Sequence, residues 1–363
     1  MPRAANAVDF WRGFALVTIF INHIPAIWYE RLTYKNLSFS DSAELFVFLA
    51  GWSLRHVVGR PEDPLPLRQL VFRLGGRAMT LYVAHMAIVM IAIAMLALSA
   101  RVFENPLLLE WHNAAAVFSN PADTHIGLAI LSHQLGYFDI LPLYVVLMLV
   151  APGIAVLHRR APNWLLPLSL LLYLVTLIFK LTIPTWPTEG QWFFNPLAWQ
   201  LIFVLGFTMS RERGPGAWVK SNIDRIRLIA IPVVVVAAVM VWLRIWPDPT
   251  KMPEPKLLFI AGKTFVTPIR LIQFLALVAA FSAAFPLIQR YMPKLVDSLA
   301  MMGRNSLYVF CAGSLLSLLG QILRFHFEGN FVVDTLIVGV GIALLIAIAW
   351  LAEWRDRLKK GAV

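Results

Sequence analysis

Residues 8–29 read VDFWRGFALVTIFINHIPAIWY, an apolar stretch long enough to cross a bilayer that nevertheless contains ionisable side chains. Asp9 and Arg12 lie near its start, and His23 lies near its end. Arg12 and His23 are separated by about three helical turns, or about 16 Å, so both are expected on one face of a helix. Because ionisable residues inside a membrane are costly and are usually kept for a function, this stretch predicts both a membrane helix and a functional site.

The apolar pattern recurs along the whole chain of 363 residues, of which 59% are hydrophobic and 14% charged. A soluble domain has about a quarter of its residues charged, so this composition is typical of a membrane protein. We therefore predict an all-α, polytopic membrane bundle that forms one membrane-embedded domain over residues 1–363. About ten transmembrane helices are expected, at residues 8–29, 41–59, 75–99, 138–157, 163–183, 195–210, 228–246, 265–287, 302–323 and 331–353.

The net charge of +11 is distributed as membrane topology requires. Most of the 31 lysine and arginine residues fall in short segments that lie inside the cell when the N-terminus is cytoplasmic. This asymmetry predicts that both termini are cytoplasmic, and it argues against a nucleic-acid partner. The sequence suggests no metal-ligand cluster, and its single cysteine, Cys311, excludes a disulfide within the chain.

His23 is the first candidate for chemistry. The second apolar segment begins with FSDSAELF (39–46), where Ser40 or Asp41 can cap a helix and Glu44 lies about one turn into it. On adjacent antiparallel helices, His23 and Glu44 would lie at similar depth, and a carboxylate beside an imidazole is the arrangement of a general base and its orienting partner. The alternative is that His23 only hydrogen-bonds a neighbouring helix and Asp41 only caps one.

A second group of candidates is basic and lies at the inner ends of the predicted spans. Arg73 and Arg77 flank Gly75-Gly76 at the start of the third span, and Arg304 begins the ninth. Arginine binds phosphate well, and two glycines allow close approach of a ligand, so these residues are candidates for an anionic ligand. The alternative is that they only follow the positive-inside rule.

A third group lies at the outer ends of predicted helices. It combines aromatic, amide and carboxylate side chains, which suit the stacking and hydroxyl hydrogen bonds of a sugar: Asp139, Asn195, Trp199 and Gln200. Arg270, at the outer end of the eighth predicted span, is a further substrate-binding candidate that could neutralise the free carboxylate of a succinyl group. The alternative for each aromatic or polar residue is an interfacial belt or a helix cap.

Seven blocks of the sequence together resemble the OpgC family. They run from one end of the chain to the other: DFWRG (9–13), INHIP (21–25), FSDSAELFVFLAG (39–51), DILPLY (139–144), FNPLAWQ (194–200), GKTFVTPIR (262–270) and GRNSLYVFC (303–311). That family comprises inner-membrane proteins linked to succinylation of osmoregulated periplasmic glucans, and it is similar to the wider acyltransferase-3 superfamily. The resemblance implies a multi-pass protein of the inner (cytoplasmic) membrane.

The resemblance also implies roles for individual residues. The superfamily signature of an arginine, ten residues and a histidine on the first helix falls on Arg12 and His23. A basic pair that is thought to contact acyl-CoA has its nearest match in Arg73 and Arg77, whose spacing is wider than the superfamily pattern.

The expected function is O-acyl transfer from a cytoplasmic acyl-CoA to a hydroxyl of a periplasmic glucan. Succinyl-CoA is the expected donor substrate, no cofactor is expected to be bound permanently, and glucan-synthesising proteins are conceivable partners. His23, oriented by Glu44 or Asp41, would be the general base, and Arg12 would hold the donor or the helix packing. The alternatives are an acetyltransferase of the same mechanism, a transporter or flippase for an anionic or glycan substrate, and a scaffold for the glucan-synthesising proteins.

Overall fold

A computed structural model of the protein describes residues 4–59, 65–246 and 248–359. Within these ranges the chain forms fifteen α-helices, a few 3₁₀ turns and no β-strand. The helices are α1 (Ala7–Asn22), α2 (Ser42–Val58), α3 (Leu67–Val102), α4 (Ala115–Ser119), α5 (Pro121–Ala129), α6 (Ile140–Arg160), α7 (Pro162–Phe179), α8 (Pro196–Ser210), α9 (Pro215–Ser221), α10 (Ile223–Trp242), α11 (Pro268–Phe281), α12 (Ala284–Tyr291), α13 (Pro293–Arg304), α14 (Ser306–His326) and α15 (Phe331–Lys359). The all-helical prediction is confirmed for the described chain.

The expected count of about ten spans is not confirmed. Among the described residues, six helices are long and apolar enough to cross a membrane (α3, α6, α7, α10, α14 and α15), and the bent pair α11 and α12 could form a seventh. Helices α1, α2 and α8 occupy three other predicted spans but have only 16, 17 and 15 residues. At 1.5 Å per residue each is about 23–26 Å long, which is shorter than the roughly 30 Å of a hydrocarbon core.

The first predicted span, 8–29, is also shorter in the structure. Helix α1 ends at Asn22, His23 is its C-cap, and a 3₁₀ turn covers Trp28–Leu32. Pro25 explains this end, because proline has no N–H to donate and disfavours a helical conformation in the residue before it. His23 therefore lies at the end of a helix rather than inside one.

The chain folds into two compact units. Of the described residues, unit 1 contains 4–37, 88–111 and 281–359, and unit 2 contains 38–59, 65–87, 112–246 and 248–280. The divisions fall after residue 37, within α3, after residue 111 and near the end of α11.

Unit 2 is built on the contact between α2 and α8. A Cβ added at Gly51 of α2 would clash with the backbone carbonyl of Phe203, and one added at Gly206 of α8 would clash with that of Phe48. The two glycines therefore allow the helix backbones to touch, which is how small residues act at helix interfaces in membranes. Helix α8 is almost wholly buried, and its Trp199 is fully buried.

Unit 1 contains a second close helix contact at glycines, between α1 and α13. A Cβ at Gly13 of α1 would clash with the carbonyl of Leu299, and one at Gly303 of α13 would clash with the carbonyl of Asp9. Helix α1 also packs on α14, which in turn packs on α15. The helix that carries Arg12 and precedes His23 is thus fixed from two sides.

Candidate functional site

In unit 2, the start of α2 brings two carboxylates together. Asp41 is the N-cap, and its Oδ1 accepts a hydrogen bond from the Ala43 N–H at 2.9 Å. The Glu44 side chain reaches back, and its Oε2 accepts from the Asp41 N–H at 2.9 Å. This is a capping box, which satisfies two backbone donors that a helix start leaves unpaired, and it confirms the expected cap. The box also holds the two carboxylates in fixed positions.

Two cations from a distant part of the chain pair with these carboxylates. Arg270 of α11 donates from Nε at 2.8 Å and from Nη2 at 2.5 Å to Oε1 of Glu44, and its Nη2 also lies 3.4 Å from Oδ2 of Asp41. Lys263 Nζ lies 2.6 Å from the same Asp41 oxygen. We call Asp41, Glu44, Lys263 and Arg270 the ion cluster. Glu44 is fully buried and Arg270 is 8% exposed, so their pair is shielded from water.

Gln273 lies beside the ion cluster, although no role was predicted for it beyond its position with Lys263 and Arg270 at the start of the eighth predicted span. Its Oε1 accepts hydrogen bonds from the hydroxyls of Ser38 and Ser40 at 2.9 and 2.8 Å and from the Ser40 N–H at 3.2 Å. Gln273 is three residues after Arg270 and therefore shares its face of α11. That spacing was a signal for its place beside Arg270.

The segment before α11 is held in a strained turn that places Lys263. Val266 has a φ of 45°, a left-handed conformation that β-branched residues rarely adopt. Several hydrogen bonds hold the turn. Among them, the Tyr173 hydroxyl donates to the Val266 carbonyl at 2.7 Å, Trp199 Nε1 donates to the Thr264 carbonyl at 3.2 Å, and the Gly262 N–H donates to the Thr267 hydroxyl at 2.8 Å. Strain of this kind persists only where the surroundings enforce it, and it clusters at functional sites.

Three residues predicted to bind sugar make hydrogen bonds inside unit 2. Asn195 is fully buried, caps α8 through the Leu197 N–H and donates to the Leu181 carbonyl. Trp199 is also fully buried and supports the turn described above. Gln200 exchanges hydrogen bonds with Ser169, linking α8 to α7. These contacts hold α8 in unit 2, and the binding of sugar by the three residues stays a prediction.

Asp139 and the ring of Phe193, both near Lys263, are more open. Asp139 is half-buried at the start of α6, makes no capping bond there and is attracted electrostatically by Lys263. The Lys263 ammonium lies 5.6 Å from the ring centre of Phe193 and 5.4 Å from that of Phe194. Phe193 is 45% exposed, so an apolar ring is accessible next to charged groups.

In unit 1, the backbone around His23 is held by α14 and α15. The His23 carbonyl accepts a hydrogen bond from Gln321 Nε2 at 2.5 Å, and the Pro25 carbonyl accepts one from Arg324. Asp334 is almost fully buried and accepts from Arg324 Nε at 2.9 Å and from the Trp28 N–H at 2.8 Å. His23 itself is half-buried, at a helix C-terminus whose dipole stabilises an imidazolium.

The candidate anion-binding arginines differ in environment. Arg304 of unit 1 forms an ion pair with Glu353 at 2.7 Å. Arg73 and Arg77 belong to unit 2 and are exposed on α3. Arg12 is half-buried on α1, one residue before the close contact at Gly13.

A family model described as OpgC protein matches residues 4–357, which is nearly the whole chain. The chain belongs to the OpgC family. The comparisons with curated proteins and with solved structures find no significant match.

The sequence blocks that resemble the OpgC family meet within each unit. In unit 2, FSDSAELF and GKTFVTPIR supply the ion cluster, and FNPLAWQ supports GKTFVTPIR through Trp199. DILPLY joins them through Asp139, which Lys263 attracts, and through the ring of Tyr144, which contacts Phe46. In unit 1, GRNSLYVFC touches DFWRG where Gly303 meets Asp9. Blocks that are far apart in the OpgC sequence thus form contiguous groups in the fold.

Proposed function

We propose that this OpgC-family protein is an integral-membrane O-acyltransferase that moves a succinyl group from cytoplasmic succinyl-CoA to a hydroxyl of a periplasmic glucan. The observation that carries the proposal is the family match over residues 4–357, since the family suggests a glucan succinyltransferase role. The apolar helices support a location in a membrane, which we take to be the inner membrane. Glucan-synthesising proteins are proposed as partners.

His23 is the proposed general base. It would take the proton of the glucan hydroxyl as that oxygen attacks the thioester carbonyl, and the CoA thiolate would leave and receive a proton. The position at a helix C-terminus supports this role, because the dipole there stabilises the imidazolium that forms. Such assistance is typically worth about 10²–10⁴ in rate.

Other residues would act on the charge and position of the reactants. Glu44 or Asp41 would orient His23. Within unit 2, Glu44 is paired with Arg270 and Asp41 with Lys263. Arg73 and Arg77 would bind phosphates of the donor. Arg304 is a further candidate for a donor phosphate, and it would have to exchange Glu353 for that phosphate. Arg12 would hold the donor or the packing of α1.

The test is transfer by purified protein in lipid nanodiscs, supplied with a glucan and with labelled succinyl-CoA or acetyl-CoA. His23→Ala is compared with His125→Ala, a matched control at an exposed histidine of α5. We expect His23→Ala to lower the transfer rate about 10²–10⁴-fold and His125→Ala to leave the rate unchanged.

Each outcome decides between functions. Preference for the succinyl label supports the proposed donor, and preference for the acetyl label replaces it with acetyl-CoA. Equal transfer by His23→Ala and wild type would remove His23 as the base. Folded wild-type protein that transfers neither label but moves glucan across the bilayer would instead be a transporter.

A further inference from the structure

Two neighbouring side chains of α11 hold hydrogen-bond donors that their contacts with the segment from Ser38 to Glu44 do not use. The bonds of Arg270 to Glu44 and Asp41 involve Nε and Nη2, and none of them uses Nη1. Gln273 is 2% exposed, and its Nε2 is buried with no acceptor in the part of the chain that the structure describes. A buried donor without an acceptor costs about 1–3 kcal/mol, so native proteins rarely keep one without a reason.

The orientation of the Gln273 amide follows from its partners. The Ser40 N–H can only donate, so the atom that it contacts at 3.2 Å must be the carbonyl oxygen. The NH₂ group is therefore the end that lacks a partner. Arg270 and Gln273 lie on the same face of α11, and both bind the segment from Ser38 to Glu44. Their unused donors thus belong to one neighbourhood.

The charge around these donors selects the kind of ligand. Asp41 and Glu44 balance Lys263 and Arg270, so the ion cluster carries no net charge when all four groups are ionised. A carboxylate bound to Arg270 would lie beside Glu44 and Asp41, and like charges that close repel strongly where water is excluded. A neutral oxygen can accept from the same donors without this repulsion. The environment therefore disfavours the succinyl carboxylate that the sequence suggested for Arg270.

We propose that Arg270 Nη1 and Gln273 Nε2 form a subsite for a neutral hydroxyl oxygen of a sugar, as part of the acceptor site. This inference rests on the proposed function, because it takes the ligand to be the glucan. The exposed ring of Phe193, next to Lys263, adds an apolar surface against which the C–H face of a sugar ring can pack. Asp139, half-buried and attracted by Lys263, can accept a further hydroxyl.

The test is binding of a labelled neutral glucose oligosaccharide to the full chain in nanodiscs, with no acyl donor present. Gln273→Glu keeps the oxygen that accepts from Ser38 and Ser40 but replaces the unused donor by an oxygen. Arg270→Lys keeps a cation beside Glu44 but removes Nη1, and it serves as the second variant if Gln273→Glu does not fold. Gln134→Glu is the matched control, since Gln134 is a buried glutamine of unit 2 whose amide donates to Leu131.

We expect each of the two site variants to weaken oligosaccharide binding about tenfold or more and the control to leave it unchanged. Unchanged binding in folded site variants would overturn the subsite. Competition by succinate that Arg270→Lys abolishes would show an anion site instead and would also overturn it. If wild type binds the oligosaccharide through these donors but transfers no acyl group, the subsite stands and the proposed enzyme does not.

Discussion

Removing Arg270 tests whether the buried ion pair with Glu44 supports the fold of unit 2. Glu44 is fully buried, and its Oε1 accepts hydrogen bonds from both Nε and Nη2 of Arg270. In Arg270→Met, the hydrogen bond that the carboxylate keeps within the described chain is the one from the Asp41 N–H. Breaking a buried pair in this way typically costs about 3–5 kcal/mol, because an uncompensated charge stays buried. We expect a loss of that size in the free energy of unfolding.

Two comparisons isolate the cause of that loss. Lys263→Met breaks a more exposed pair, with side chains 27% and 16% accessible, and should cost about 1 kcal/mol or less. In the double variant Arg270→Met with Glu44→Gln no charge stays unpaired, so the loss should be smaller than the sum of the single losses by about 1–3 kcal/mol.

The measurement is unfolding by sodium dodecyl sulfate titration in mixed micelles, followed by tryptophan fluorescence. It is made for wild type, for the single variants Arg270→Met, Lys263→Met and Glu44→Gln, and for the double variant. Equal losses for Arg270→Met and Lys263→Met would refute the argument from burial. Additive losses in the double variant would show that Arg270 and Glu44 do not stabilise each other.

Two further predictions concern unit 1 and the pH dependence of stability. Gln321→Leu removes the side chain that donates a hydrogen bond to the His23 carbonyl. If this bond positions His23, steady-state kinetics should show kcat lowered about tenfold and KM for the acyl donor unchanged. A change in KM alone would contradict a positioning role. Burial lowers the pKa of His133, whose Nε2 contacts the Asn113 carbonyl, so the folded state binds fewer protons than the unfolded state and stability falls as pH drops below about 6.5. His133→Gln should reduce the slope of the free energy of unfolding against pH, measured from denaturation curves, by at most about 1.4 kcal/mol per pH unit. An unchanged slope would contradict the role of His133.

Local features of the fold were predictable because they depend on neighbouring residues. The capping box of α2 could be recognised because Asp41 and Glu44 have the spacing that a helix start requires. Pro25 was visible in the sequence, yet the prediction let the first span continue to residue 29, whereas α1 ends at Asn22. Hydropathy averaged over a window favours a long span, and it does not register that one proline removes a backbone donor.

The partners of charged residues were not predictable, because pairing depends on contacts between distant segments. The sequence suggested Arg270 as a free cation for a ligand, whereas the structure pairs it with Glu44, 226 residues away. It assigned no role to Gln273, Gln321 or Asp334. Each of these is a polar residue in an apolar helix. Its role can be recognised only when the distant group to which it hydrogen-bonds is known.

The sequence by itself determined that this is a helical membrane protein of the OpgC family. Apolar stretches and the short segments that resemble the family can be recognised from the order of neighbouring residues. The tertiary structure alone decided which charges neutralise each other, which donors lack an acceptor and which helices touch at glycine. Those properties depend on distances between groups far apart in the chain. Electrostatic and hydrogen-bond energies change over a few ångströms, and residue order does not specify such distances.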